Sequence, residues 1–150
     1  MSLRRREFIA GLGGAAAWPL AAGAQQGDRM RRIGVLMWLD ENDQSDFSAF
    51  TQALAGLGWV DGRNVRIDLR WFGDDINRIP ALARELVSLR PDVILASAAA
   101  TRALQRETRT IPIVFAGVGD PVANGMVTRL DRPSGNTTGF AVNEASLGGK

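Results

Sequence analysis

Three short, nearly unbroken apolar runs constrain this chain more than any other feature. They are Ile33-Gly34-Val35-Leu36-Met37, Val93-Ile94-Leu95-Ala96 behind Asp92, and Ile111-Pro112-Ile113-Val114-Phe115-Ala116. Each is too short for a core helix, and none alternates apolar with polar. Such runs read as strands covered on both faces, the habit of a parallel sheet. Pro112 falls at the start of its run, where no ladder donor is needed.

The segments between them carry a helical period. Phe47, Phe50, Leu54 and Leu57 recur at spacings of three and four, and Gly56 and Gly58 mark the end of that helix. Ile79, Leu82, Leu86 and Leu89 form a second stripe, with Pro80 in the first turn, Asp74 and Asp75 ahead of it, and Arg90-Pro91 as its stop. Ala98 to Thr108 reads as a third helix, and Asn124 to Leu130 as a short fourth. Val65 to Phe72 alternates with Arg66, Asp68 and Arg70, the pattern of a less buried strand near an edge. Arg132 to Asn136 is turn chemistry, and Thr137 to Val142 a last strand. Strand and helix alternate throughout. The expected fold class is α/β, one doubly wound parallel sheet with helices on both faces.

The first 24 of the 150 residues stand apart. Arg4, Arg5 and Arg6 precede a stretch without charge, Phe8 to Ala24, which ends in the small residues Ala22-Gly23-Ala24. A basic head, an uncharged middle and a small-residue exit describe an export signal. Arg5-Arg6-Glu7-Phe8-Ile9 resembles the twin-arginine form of it. The expected organisation is a cleaved signal at 1–24, a linker at 25–31, a folded lobe at 32–142 and the start of a crossover at 143–150. The product would be periplasmic. The signal holds three Arg and one Glu, so 15 basic and 15 acidic residues remain after it. A neutral sum predicts no general attraction to nucleic acid or anionic lipid.

The chain contains no His, Tyr or Cys, and its single Lys is Lys150. Imidazole, thiol and phenol chemistry are therefore absent, as are disulfides and Cys/His zinc sites. No catalytic residue, metal or cofactor is expected, and binding is favoured over catalysis. The acidic loop Asp40, Glu41, Asp43 and Asp46 fails the calcium-loop pattern, because Ser45 and Thr51 stand where Gly and Glu are required.

In open parallel sheets, ligands bind beyond the carboxyl ends of the strands. The first apolar strand delivers Trp38 there, the second Ser97, Ala98 and Ala99, and the third Gly119 and Asp120. These six are the candidate ligand-binding residues. Ser97 opens a helix, whose N-terminus favours an anion such as a carboxylate. It either caps that helix alone or caps it and faces a ligand. Trp38 either stacks on a ligand or packs at the edge of the core. Asp120 either meets a ligand amine or caps the segment after it.

The order of these pieces resembles the ABC-transporter substrate-binding proteins of the two-lobed, type I periplasmic kind, a group with tryptophan- and tyrosine-binding members. The resemblance rests on Arg4 to Ile9, Arg32 to Leu36, Leu57-Gly58-Trp59, Gly62 to Val65, Pro91 to Ala96, Thr108 to Phe115, Gly119 to Val122, and Gly135 to Gly139. It implies a small solute, such as an amino acid or organic acid, held between two lobes and passed to an ABC permease in the membrane. The present residues would supply the first lobe. Ala98-Ala99-Ala100 departs from the Gly-Thr-Pro-like run common at that place, which removes a hydroxyl contact.

The resemblance also implies about twice this length. Two further readings stand beside it: a truncated lobe that does not transport and self-associates through the exposed cleft face, and an exported α/β hydrolase using Ser97. The hydrolase lacks both His and a Gly-x-Ser-x-Gly elbow. If a two-lobed protein bound at about 1 μM, losing half the contacts would leave affinity in the millimolar range.

Overall fold

The computed structural model describes residues 29–38, 45–129, 131 and 135–142. The expected signal, most of the linker and the expected crossover at 143–150 lie outside the described residues. So do Asp40, Glu41 and Asp43 of the acidic loop.

Five parallel strands form one sheet: β1 (Arg31–Met37), β2 (Val65–Trp71), β3 (Val93–Ala96), β4 (Ile113–Val118) and β5 (Thr137–Ala141). Their spatial order is β2-β1-β3-β4-β5, with every neighbour pair parallel. Helices α1 (Ser45–Gly56), α2 (Ile79–Ser88) and α3 (Ala98–Glu107) connect β1 to β2, β2 to β3, and β3 to β4. The first connection runs one way across the sheet and the later ones run the other. Right-handed crossovers therefore place α1 on one face, and α2 and α3 on the opposite one. The doubly wound expectation holds.

The main core lies under α2 and α3. Leu36, Ile94, Ala96 and Ile113 of the sheet meet Ile79, Ala83, Leu86, Ala100 and Leu104 of the helices, all buried. Gly34 belongs here because a Cβ on it would come within 2.9 Å of Leu86 Cγ. Pro80 lies in the first turn of α2, where it removes no hydrogen bond. Asp75 caps the 3₁₀ turn ahead of that helix by accepting from Asn77 N at 3.0 Å. On the other face, Phe47 and Phe50 of α1 approach Val35, Met37 and Leu95, yet α1 buries none of its residues.

Two sequence expectations change. Asn124 to Leu130 is not a helix over its described part. Residues 121–125 form turns, and Gly125 at φ 64° ends any helical run. The third apolar strand runs further than expected, to Val118. It does so through an irregularity between Ala116 and Val118, with Gly117 at φ 73°. A residue at positive φ inserts one extra position and re-aims the next side chains along the strand. Val118 is thereby buried, beside Phe115, Met126 and Val127.

Candidate functional site

The sheet reverses its winding between β1 and β3. At such a switch point the two crossovers diverge and leave a crevice at the carboxyl ends of the strands. Trp38 follows β1 here and is 59% exposed. Ser97 follows β3, and its amide donates to Leu36 O at 3.1 Å, which fixes the two strand ends side by side. Gly119 and Asp120, both exposed, follow β4 one strand further along. All six candidate residues therefore lie along one edge of the sheet, Trp38 and Ser97 adjacent at its switch point.

Ser97 occupies the N-cap position of α3 with extended backbone, φ −72° and ψ 167°. Its side chain makes no capping bond. Its Oγ is buried without a hydrogen-bond partner among the described residues. The simple capping reading of Ser97 is thereby corrected: the position is that of a cap, but the hydroxyl is left over. A buried polar atom without a partner costs about 1–3 kcal/mol. The opening amides of α3, from Ala98 to Ala100, have no acceptor within the helix, as at any helix start. The first turn of α3 carries no acidic residue, so nothing on the helix offsets its positive end.

Thr101 was not visible as a site residue in the sequence. It is buried, and its Oγ1 donates to Ser97 O at 2.8 Å, while its amide donates to the same oxygen at 3.0 Å. These bonds hold the Ser97 backbone in place. The only sequence signal was a Thr four residues into a helix, and that spacing is common.

Asp120 does cap the segment after it. One carboxylate oxygen accepts from Val122 N at 3.0 Å and from Ala123 N at 2.8 Å. Asn124 returns a bond to Asp120 O at 2.8 Å. Ala98 is half-buried against Phe115 and its neighbours, whereas Ala99 is exposed. Among the described residues, no group of three or more acidic side chains could hold a metal ion.

The carboxylates with displaced titration lie away from this edge. Asp92 is held below the ordinary aspartate range, chiefly by the Arg32 amide that donates to it at 2.8 Å, with Arg29 and Arg31 adding to the effect against the opposing cost of burial. Glu85 is lowered by its bonds to Arg70.

A parallel α/β lobe with an anion-receptive helix end at its switch point has the form of a solute-binding domain. The chain belongs to the ABC transporter substrate binding protein family, whose pattern matches residues 32–148. That is a family of substrate-binding proteins and not of enzymes, which speaks against the hydrolase reading. The chain is 36% identical over 91 residues to a tyrosine-binding protein of Clostridioides difficile (strain R20291), covering 60% of this chain and 26% of that protein. Among solved structures it is similar to the ligand-free, open form of a substrate binding protein with adhesive properties from Clostridium difficile. That match has a TM-score of 0.68 and 30% identity, over 74% of this chain and 38% of the other. It is also similar to an ABC domain in complex with L-Trp from Streptococcus pneumonia, with a TM-score of 0.68 and 26% identity over 75% of this chain and 39% of the other. The chain thus corresponds to between about a quarter and two-fifths of each of these relatives.

Proposed function

We propose that this chain is the first ligand-binding lobe of an ABC import system and takes a small carboxylate-bearing solute, such as an amino acid. The ligand carboxylate sits at the start of α3, against Ser97 Oγ and the free amides from Ala98 to Ala100. Trp38 covers the apolar part of the ligand, and Gly119 with Asp120 borders the far side. The observation that carries this reading is the buried hydroxyl of Ser97, unpartnered among the described residues, at a helix end whose first turn has no acidic residue. The tyrosine-binding relative and the L-Trp complex support the ligand class. The signal-like residues 1–24 support export to the periplasm and delivery to a membrane permease. Among the described residues, no helix is long and apolar enough to cross a membrane.

The test is an NMR titration of the chain with L-tryptophan, following the amides of residues 97–101. Binding in the millimolar range is expected. Ser97→Ala should weaken it about tenfold, the loss of one good hydrogen bond to a charged group. Equal binding by the variant, or shifts confined to other regions, would sink the assignment.

A second reading, self-association through the same edge, is favoured by the exposure of Trp38. Sedimentation equilibrium decides it: a dimer dissociated by Trp38→Ser supports this reading, and a monomer at all concentrations removes it.

A further inference from the structure

The sheet ends on β2 at one side and on β5 at the other, and the two edges are finished differently. An edge strand leaves a row of outward N–H and C=O groups that invites another strand. On β2 that row is largely occupied. Arg31 N bonds Asn64 O, so the backbone groups of Val65, Ile67 and Leu69 point away from β1. The turn before the strand folds back onto them. Val65 N donates to Val60 O at 3.4 Å, Gly62 N donates to Val65 O at 2.8 Å, and the Asp61 carboxylate accepts from Ile67 N at 2.8 Å. Arg70 Nη1 then donates to Leu69 O at 2.9 Å. Arg66, Asp68 and Arg70 add charge along the strand, a further obstacle to pairing.

β5 carries no such device among the described residues. Ile113 N bonds Asn136 O and Val142 N bonds Val118 O, so the N–H and C=O groups of Gly139 and Ala141 point outward. No hydrogen bond from the described residues reaches them there. Asn136 to Val142 carries no charged side chain. Between the two open positions stands Phe140, 74% exposed, with Val142 exposed on the same face.

We propose that β5 pairs with β5 of a second copy of this chain, antiparallel, about a two-fold axis at Phe140. In that register Gly139 of each copy exchanges N–H···O bonds with Ala141 of the other. Phe140 meets its own counterpart at the closer, non-hydrogen-bonded position, where an aromatic pair is favourable. Val142 of each copy lies opposite Thr138 of the other.

Two observations select a second copy as the occupant. Across such an axis a charge at the centre of the strand would oppose itself, and this strand has none. The occupied edge of β2 also denies β5 a head-to-tail partner, which would propagate as a filament. Pairing of like edges is what remains between copies, and it closes as a dimer. It leaves Trp38 and Ser97 open at the carboxyl ends of the strands, unlike self-association through that edge. Few residues meet, so the dimer should be transient, with a dissociation constant of about 100 μM.

Sedimentation equilibrium of the full 150-residue chain tests the proposal. The parent should dimerise. Phe140→Lys, at an exposed position, sets like charges across the axis and should weaken the dimer roughly tenfold. Ala141→Pro removes an outward donor without touching the ladder to β4 and should also dissociate it. Trp38→Ser should leave it intact. Because the chain has no Cys, Phe140→Cys introduces a single thiol, which should cross-link two copies under mild oxidation. Val60→Cys, beside the occupied edge of β2, should not. A monomer even at about 1 mM would overturn the proposal and leave this edge to a segment beyond Val142. So would a dimer that Phe140→Lys leaves intact, or cross-linking through Val60→Cys as fast as through Phe140→Cys.

Discussion

The two faces of the sheet are built from similar residues and treated very differently. On the face under α2 and α3, Leu36, Ile94, Ala96, Ile113 and Phe115 are all buried. On the other face Val35 and Val65 are buried as well, but Ile33, Val93, Leu95, Val114 and Ala116 are only half-buried. Phe140 on that side is 74% exposed. Even edge strand β2 conforms: Asp68 and Arg70 turn toward the α2 side, while Ile67, Leu69 and Trp71 turn toward the other. Arg70 meets Glu85 of α2 at 2.7 Å. The difference lies in coverage, because among the described residues one helix with no buried residue serves the second face. Apolar character records a capacity to be buried, and the stabilisation arrives only with the covering element.

The largest effect should come from emptying the covered face. Leu86→Ala removes the side chain packed on Gly34 and should cost about 2–5 kcal/mol in urea unfolding. A loss below ~1 kcal/mol would mean that this face is less consolidated than its burial implies. Gly139→Ala comes next. Its Cβ would run into the Phe115 carbonyl and ring on the covered side, so a loss of about 1–3 kcal/mol is expected, with β5 the first strand to exchange its amides. Thr138→Ala, one residue away but facing the open side, serves as its control.

A pH titration separates both faces from the strand-start bonds between them. Asp92 is depressed in the folded state, so its contribution is fully present above its unfolded value of about 3.9 and is lost as pH falls through the lower folded value. The stability gap between the parent and Asp92→Asn should therefore be widest near neutrality and close at lower pH. A gap unchanged down to pH ~2 would remove Asp92 from the account.

The smallest effect belongs to the open face. Phe140→Ser should change stability by less than about 0.5 kcal/mol while reducing the binding of an apolar dye. A large destabilisation would show that this face is covered after all.

Much of the fold was legible because its signals are local. A run such as Val93-Ile94-Leu95-Ala96 is too short and too apolar to be anything but a buried strand. Pro80 at the start of α2 and Gly58 after α1 set helix limits through their own backbone preferences. Gly58 at φ 88° closes α1, with Trp59 N donating to Leu54 O at 2.9 Å, as the composition there required. The edge position of β2 was readable from its charges. The short helix expected from Asn124 was not there, because hydrogen bonds to Asp120 and Pro121 and a positive φ at Gly125 organised that segment as turns.

By itself the sequence determined the strands, their parallel sense, the crossover helices and the edge of the sheet that presents the candidate residues. Each of these arises from hydrophobic period and backbone preference over a few neighbouring positions. Only the tertiary structure decided that Ser97 Oγ is buried without a partner among the described residues, and that Gly117 lets β4 run on to Val118. The physical reason is range. A hydrogen bond or an ion pair is won or lost within about 3–4 Å, and which groups come that close depends on how separate segments pack.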